Sequence, residues 1–131
     1  MTEAKFQTAF NRWVKYNFKR SAAFELKLAR GDSLPFAAVK PHQIQNLKIV
    51  KRTCLQYKIS DIDFTFQKPF DSFNLCGEAY VVVMFYVRGQ KEFVMIDVDD
   101  FEHESIVSSR RSLVEERAKE IGKTYVLGVL I

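Results

Sequence analysis

The chain reads as a single α/β domain, a mixed central sheet flanked by helices, and three stretches predict it. Near the N-terminus Phe6, Phe10, Trp13 and Val14 recur at helical spacing, so one helix turns this face inward. Ala22 to Ala29 alternates with period two: Phe24, Leu26 and Leu28 take one side of a strand, Glu25 and Lys27 the other. Ala79 to Val87 is apolar on both faces, the mark of a central strand, and far too short to cross a bilayer. With 131 residues, 47% hydrophobic and 14% aromatic, the chain buries one core and has no room for a second domain.

In order along the chain, Thr2 caps a helix running to about Asn17, with Glu3 in the first turn where the helix dipole favours an acid. Lys5, Arg12 and Lys19 recur along another face with Lys15 nearby. This basic stripe is either an ordinary solvated face or a row of phosphate contacts. After the strand come a turn at Arg30-Gly31-Asp32 and an extended Leu34-Pro35-Phe36, then a helix opening at Pro41 and reaching about Thr53. Ile44, Leu47 and Val50 form its buried stripe, which brings His42 and Gln43 near the Glu25 and Lys27 pair. Residues 55 to 75 hold two extended pieces, with Pro69 indicating an edge or a bulge. Two strong strands follow, Ala79 to Val87 and Glu92 to Val98, joined as a hairpin through Arg88 to Lys91. Asp97, Asp99, Asp100, Glu102 and Glu104 read as a solvated acidic end beside a loop, because no EF-hand pattern accompanies them. Ser112 and Glu115 have the spacing of a capping box for a helix closing at Gly122, and Thr124 to Ile131 reads as a last strand.

Charge is distributed unevenly. Residues 1 to 60 carry 12 Lys/Arg against 3 Asp/Glu, a balance of +9, while residues 61 to 131 carry 8 against 13, a balance of −5. A polyanion-binding surface in the first half accounts for this, as do two solvated faces that happen to differ. The two cysteines, Cys54 and Cys76, and the two histidines have no zinc-site spacing, and nothing in the spacing favours a disulfide. The N-terminus lacks the apolar core of a signal peptide, so a soluble, cytoplasmic protein with no membrane partner is expected.

Four local strings then come together: Glu25-x-Lys27 on a strand, Leu34-Pro35-Phe36, His42-Gln43-Ile44 opening a helix, and Pro69-Phe70-Asp71. In this combination the chain resembles the PD-(D/E)xK nucleases, closest to the RecU-type Holliday-junction resolvases and their small phage-type relatives. The resemblance implies a restriction-endonuclease-like domain and a divalent-metal-dependent DNA endonuclease, of four-way-junction-resolving type and homodimeric, in a host or phage-infected cytoplasm. It implies Asp71 and Glu25 as ligands of Mg²⁺ or Mn²⁺, with the Leu26 carbonyl adding an oxygen. Lys27 would position the attacking water or stabilise charge on the phosphorane, and Gln43 would orient water or phosphate. Glu3 matches the place of an extra acidic ligand, or simply pairs with the helix dipole. Lys5, Arg12, Lys15, Lys19 and His42 would contact the DNA backbone.

The chain departs from the family pattern in order. The family's Asp precedes E-x-K on a hairpinned strand, whereas here the residues before Glu25 read as helix. The expectation is therefore that the Asp-bearing strand comes later in the chain and lies beside the E-x-K strand. The stalk region of the longer RecU-type proteins is not found. Two other readings stand beside the resolvase: a nuclease of the same fold acting on duplex, flap or single-stranded DNA, and a catalytically silent DNA-binding module.

Overall fold

Thr2, in extended conformation, accepts the Lys5 amide on its hydroxyl at 3.2 Å and starts helix α1, Glu3–Asn17. Strand β1 then spans Ala22–Ala29. A computed structural model of the chain describes residues 1–18, 20–52, 54–58, 72–86 and 91–127, with backbone alone for 54–58 and 72–76. Beyond β1 lie a short strand β2, Ser33–Pro35, a single 3-10 turn, Phe36–Ala38, and helix α2, Pro41–Arg52. Strands β3, Cys54–Lys58, and β4, Ser72–Cys76, precede the long strands β5, Glu78–Phe85, and β6, Glu92–Asp97. Helix α3, Val98–Val107, strand β7, Ser112–Val114, helix α4, Glu115–Ile121, and strand β8, Lys123–Val126, complete the described elements.

The main sheet has the order β1-β5-β6-β8. β1 runs parallel to β5, with Glu25 opposite Val81 and Lys27 opposite Val83, while β6 is antiparallel to both β5 and β8. Parallel neighbours need a crossover, and α2 packs on both strands along that route. As its unbroken apolar sequence requires, β5 is central, and Val81, Val82, Val83, Met84 and Phe85 are buried on both faces.

Two hydrophobic cores result, one on each face of the sheet. The first joins Phe6, Phe10 and Trp13 of α1 to Leu26, Val82, Met84, Phe93 and Met95. The second joins Leu47 of α2, Phe101 of α3 and Ala118 of α4 to Val81, Val83, Val94 and Ile96. The architecture is thus a mixed sheet between helical layers. Gly122 sits where β8 leaves α4, and a Cβ there would stand 2.7 Å from the Met95 carbonyl oxygen. Its extended backbone suits any residue, so only the close approach to β6 demands glycine.

Three expectations are corrected. The acids after Asp97 lie on helix α3, not on a loop, because the Asp97 side chain accepts the Asp99 amide at 2.9 Å and caps it. Ser112 makes no capping box: it lies in β7, paired with Pro35 of β2, and α4 follows Val114 without a side-chain cap. The Glu115 amide finds its acceptor across the fold, donating to the Asp32 carbonyl at 2.7 Å. Finally, β4, the described part of the segment after Asp71, does not lie beside β1. It pairs antiparallel with β3, bringing Cys54 and Cys76 into register, while β1 takes β5 as its neighbour. Asp71 itself, the Arg88 to Lys91 turn apart from Lys91, and the end of the predicted last strand lie outside the described residues.

Candidate active site

Period-two geometry sends Glu25 and Lys27 to the α2 face of β1, while Phe24, Leu26 and Leu28 join the aromatic core under α1. Lys27 Nζ stands 3.3 Å from Glu25 Oε1, and the two side chains keep 17% and 27% of their exposure, respectively. Two charges this far removed from water are tolerable because each offsets the desolvation of the other.

Helix α2 supplies the third member. Gln43 Nε2 donates to Glu25 Oε1 at 2.9 Å, and Gln43 Oε1 accepts the Lys40 backbone amide at 2.8 Å. Gln43 is the third residue of a helix opened by Pro41, so its reach back to the Lys40 N–H is one half of a capping box. That bond decides which way the amide points. With its oxygen held by the helix start, only the NH₂ is left to face the carboxylate. The helix cap and the site are one device, and a Gln at the third position behind a Pro start was its signal in the sequence.

Further along α2, Lys48 pairs with Glu102 at 2.8 Å and Lys51 with Asp97 at 2.7 Å, tying α2 to the start of α3. Hydrogen bonds to Asp97 and then to Asp99 hold the Lys51 ammonium above the usual lysine range, and Lys51 in turn lowers the Asp99 carboxyl. Arg117 of α4 donates to both oxygens of the largely buried Glu104, at 2.9 and 3.1 Å, and depresses that carboxyl as well. Of the acids expected in solvent, Asp97, Asp99, Glu102 and Glu104 are therefore committed to cations of neighbouring elements, and Asp100 stays exposed. The spacing Lys48 and Lys51 on the same helix face as Ile44 was visible in the sequence, but its partners were not.

On the other face of the sheet, burial pushes the Glu78 carboxyl up, yet hydrogen bonds from Arg20 and Tyr80 outweigh this and leave it lowered. Burial also raises Tyr80. These groups lie at the end of β5 far from Gln43 in the sequence and were not singled out beforehand.

The structure brings Glu25, Lys27 and Gln43 together and leaves the exposed His42 next to Gln43 in the first turn of α2. Leu26 lies between the pair on β1 with its side chain buried in the opposite core. Glu3, Lys5, Arg12 and Lys15 are exposed on α1, across the sheet from Glu25. Glu3 is thereby placed on the other layer from the carboxylate it was expected to join. Asp71 and Lys19 lie outside the described residues. Among the described residues no group of three or more His, Cys, Asp or Glu is placed to hold a metal ion, and no helix is long and apolar enough to cross a membrane. No family model matches the sequence, and no solved structure matches the chain.

Proposed function

We propose that the protein is a divalent-metal-dependent DNA endonuclease of PD-(D/E)xK type with branched DNA, a four-way junction, as its substrate. The observation that carries this reading is the trio on β1 and α2: a carboxylate, an ammonium 3.3 Å away on the same strand face, and a helix-held amide 2.9 Å from that carboxylate. It is the set that the E-x-K and His-Gln resemblance implies, assembled from residues 25, 27 and 43 by a crossover helix.

The donor chemistry fits a hard cation such as Mg²⁺ or Mn²⁺, which takes one or two protein carboxylates and fills its remaining positions with water and phosphate oxygens. Glu25 would hold it, with the Leu26 carbonyl as a further oxygen donor and Asp71, which lies outside the described residues, as the second carboxylate. Such an ion, when bound, polarises a phosphate oxygen and lowers the pKa of water. Lys27 keeps a positive charge at the place where negative charge grows on a phosphate under attack. Gln43, its amide oriented by the cap, holds the carboxylate in one rotamer beside the ammonium, which is left to face the phosphate. His42 and Lys40, at the exposed start of the same helix, suit backbone phosphate. Symmetric cutting of two strands would require a two-fold homodimer.

Cleavage of four-way junction, duplex and single-stranded DNA, each with Mg²⁺, Mn²⁺ or EDTA, tests the proposal. Junctions should be cut in preference, EDTA should stop cutting, and Lys27→Ala, Glu25→Gln and Asp71→Asn should each lower the rate at least about a hundredfold with DNA affinity retained. Equal cutting of all three substrates would remove the junction specificity and leave a nuclease of the same fold. A second reading, a silent DNA-binding module, is favoured by the fact that Glu25 and Lys27 already neutralise each other. It expects DNA binding with no metal-dependent cleavage by the unmutated chain.

A further inference from the structure

We infer that the outer face of helix α1 is a second nucleic-acid contact, a docking surface for phosphate backbone that acts independently of the Glu25 and Lys27 site. The inference rests on the proposed DNA substrate but concerns a different face of the molecule. Three observations carry it.

First, of the five lysines and arginines on helices α2 and α4 four are committed to carboxylates: Lys48 to Glu102, Lys51 to Asp97 and Asp99, Lys119 to Glu92 and Glu115, Arg117 to Glu104 and Glu120, with the exposed Arg52 as the exception. On α1, Lys5, Arg12 and Lys15 are all exposed, and no carboxylate among the described residues lies within ion-pair distance of them. Like charges three apart on a helix, as in Arg12 and Lys15, repel each other. A polyanion laid along the face removes that repulsion.

Second, the shape suits a rod-like anion. Lys5 and Arg12 wall a shallow concavity of about 360 Å³ floored by Ala4, Thr8 and Ala9, whose short side chains let a backbone come close. The ten helical steps from Lys5 to Lys15 advance about 15 Å, a length over which each strand of a duplex presents about four phosphates. Tyr16, 62% exposed and beside Lys15, extends the same surface.

Third, position separates this face from the candidate active site. α1 covers the core on one side of the sheet, and Glu25 and Lys27 project from the other. The helix alone is about 10 Å thick, so one straight stretch of backbone does not touch both sets of cations. A nucleic acid held at both presents two backbone segments. A second copy of the chain is the weaker occupant for the α1 face. Seven of the acids its C-terminal half could offer, Glu92, Asp97, Asp99, Glu102, Glu104, Glu115 and Glu120, are already paired.

The test measures binding of fluorescently labelled duplex DNA over a sodium chloride series, for the unmutated protein and for the Lys5→Glu, Arg12→Glu, Lys15→Glu triple variant. Loss of three phosphate contacts should flatten the slope of log affinity against log salt by about 2.7 units, and weaken binding at moderate salt by at least about tenfold. Lys119→Gln, which removes a cation already paired with Glu92 and Glu115, should keep the full slope. An unchanged slope in the folded triple variant overturns the inference. So does an unchanged slope with altered self-association, which would make the face a contact between copies. Should charge reversal unfold the helix, the Lys5→Gln, Arg12→Gln, Lys15→Gln variant gives the same readout. Cleavage is not the readout, so loss of cutting in Lys27→Ala bears on the nuclease proposal alone.

Discussion

The two faces of the central sheet are built on opposite principles. Under α1 the core is aromatic, with charge only at its edge where Arg20 meets Glu78: Phe10 lies edge-on to Phe93 and Phe24, with centroids 5.4 and 5.0 Å away, and Trp13 packs against Phe93 and Tyr125. Under α2 the core is mostly aliphatic, and at its margin β1 inserts a half-buried carboxylate and ammonium where a further pair of apolar side chains would have completed it. The same strand feeds both faces, since its period-two alternation gives Leu26 to one and Glu25 to the other. The aromatic face secures the strand; the polar margin of the aliphatic face is where chemistry is affordable. A site on rigid strand and helix backbone, with its amide fixed by a cap, is held more accurately than one on loops.

The contrast is open to measurement. Its largest consequence is on the aromatic face. Phe10→Ala removes a fully buried ring touching four others and should lower unfolding free energy by about 3 to 5 kcal/mol, read from urea denaturation. On the aliphatic face the opposite sign is expected. Glu25→Leu combined with Lys27→Met replaces a half-buried ion pair by apolar groups of similar size, and stability should stay level or rise by up to about 2 kcal/mol, while cleavage is abolished. A fall in stability as large as that of Phe10→Ala would mean that the pair is structural, and the division between the faces would collapse.

The smallest effect concerns the same layer's outer ion pairs. Glu104 has a folded-state pKa below its unfolded value because Arg117 hydrogen-bonds it. Its contribution is therefore present above the unfolded carboxylate pKa and is lost as pH falls through the depressed folded one. Melting temperature should drop on acidification below about pH 4.5, and Glu104→Gln should show a shallower drop over that window. Equal slopes for the two proteins would remove Glu104 from the acid-sensitive set.

Much of the fold was legible because its signals are local. The Thr2 cap and the spacing of Phe6, Phe10 and Trp13 set α1, strict alternation set β1 from Ala22 to Ala29, and Pro41 marked the start of α2. For the site, alternation alone put Glu25 and Lys27 on one face, and the place of Gln43 at the start of α2, one turn before Leu47, put it near them. What misled was also local. Ser112 and Glu115 have a capping spacing, but Ser112 is drawn into pairing with Pro35, and a residue committed to a ladder does not cap a helix. Asp97, Asp99 and Glu102 look solvated in isolation, yet Asp97 caps a helix and the three meet Lys48 and Lys51 of α2.

By itself the sequence determined the extent of the first helix and strand, the central place of the strand at Val81 to Phe85, and the shared face of the carboxylate and the amine. Those depend on periodicity, capping and polarity, which act over a few residues. Only the tertiary structure decided that β1 neighbours β5 rather than the segment after Asp71, that the basic face of α1 and the Glu25 site lie on opposite sides of the sheet, and which acid each lysine meets. Those depend on which elements are brought together by burying apolar area, a force without direction that leaves no local mark on the residues it unites.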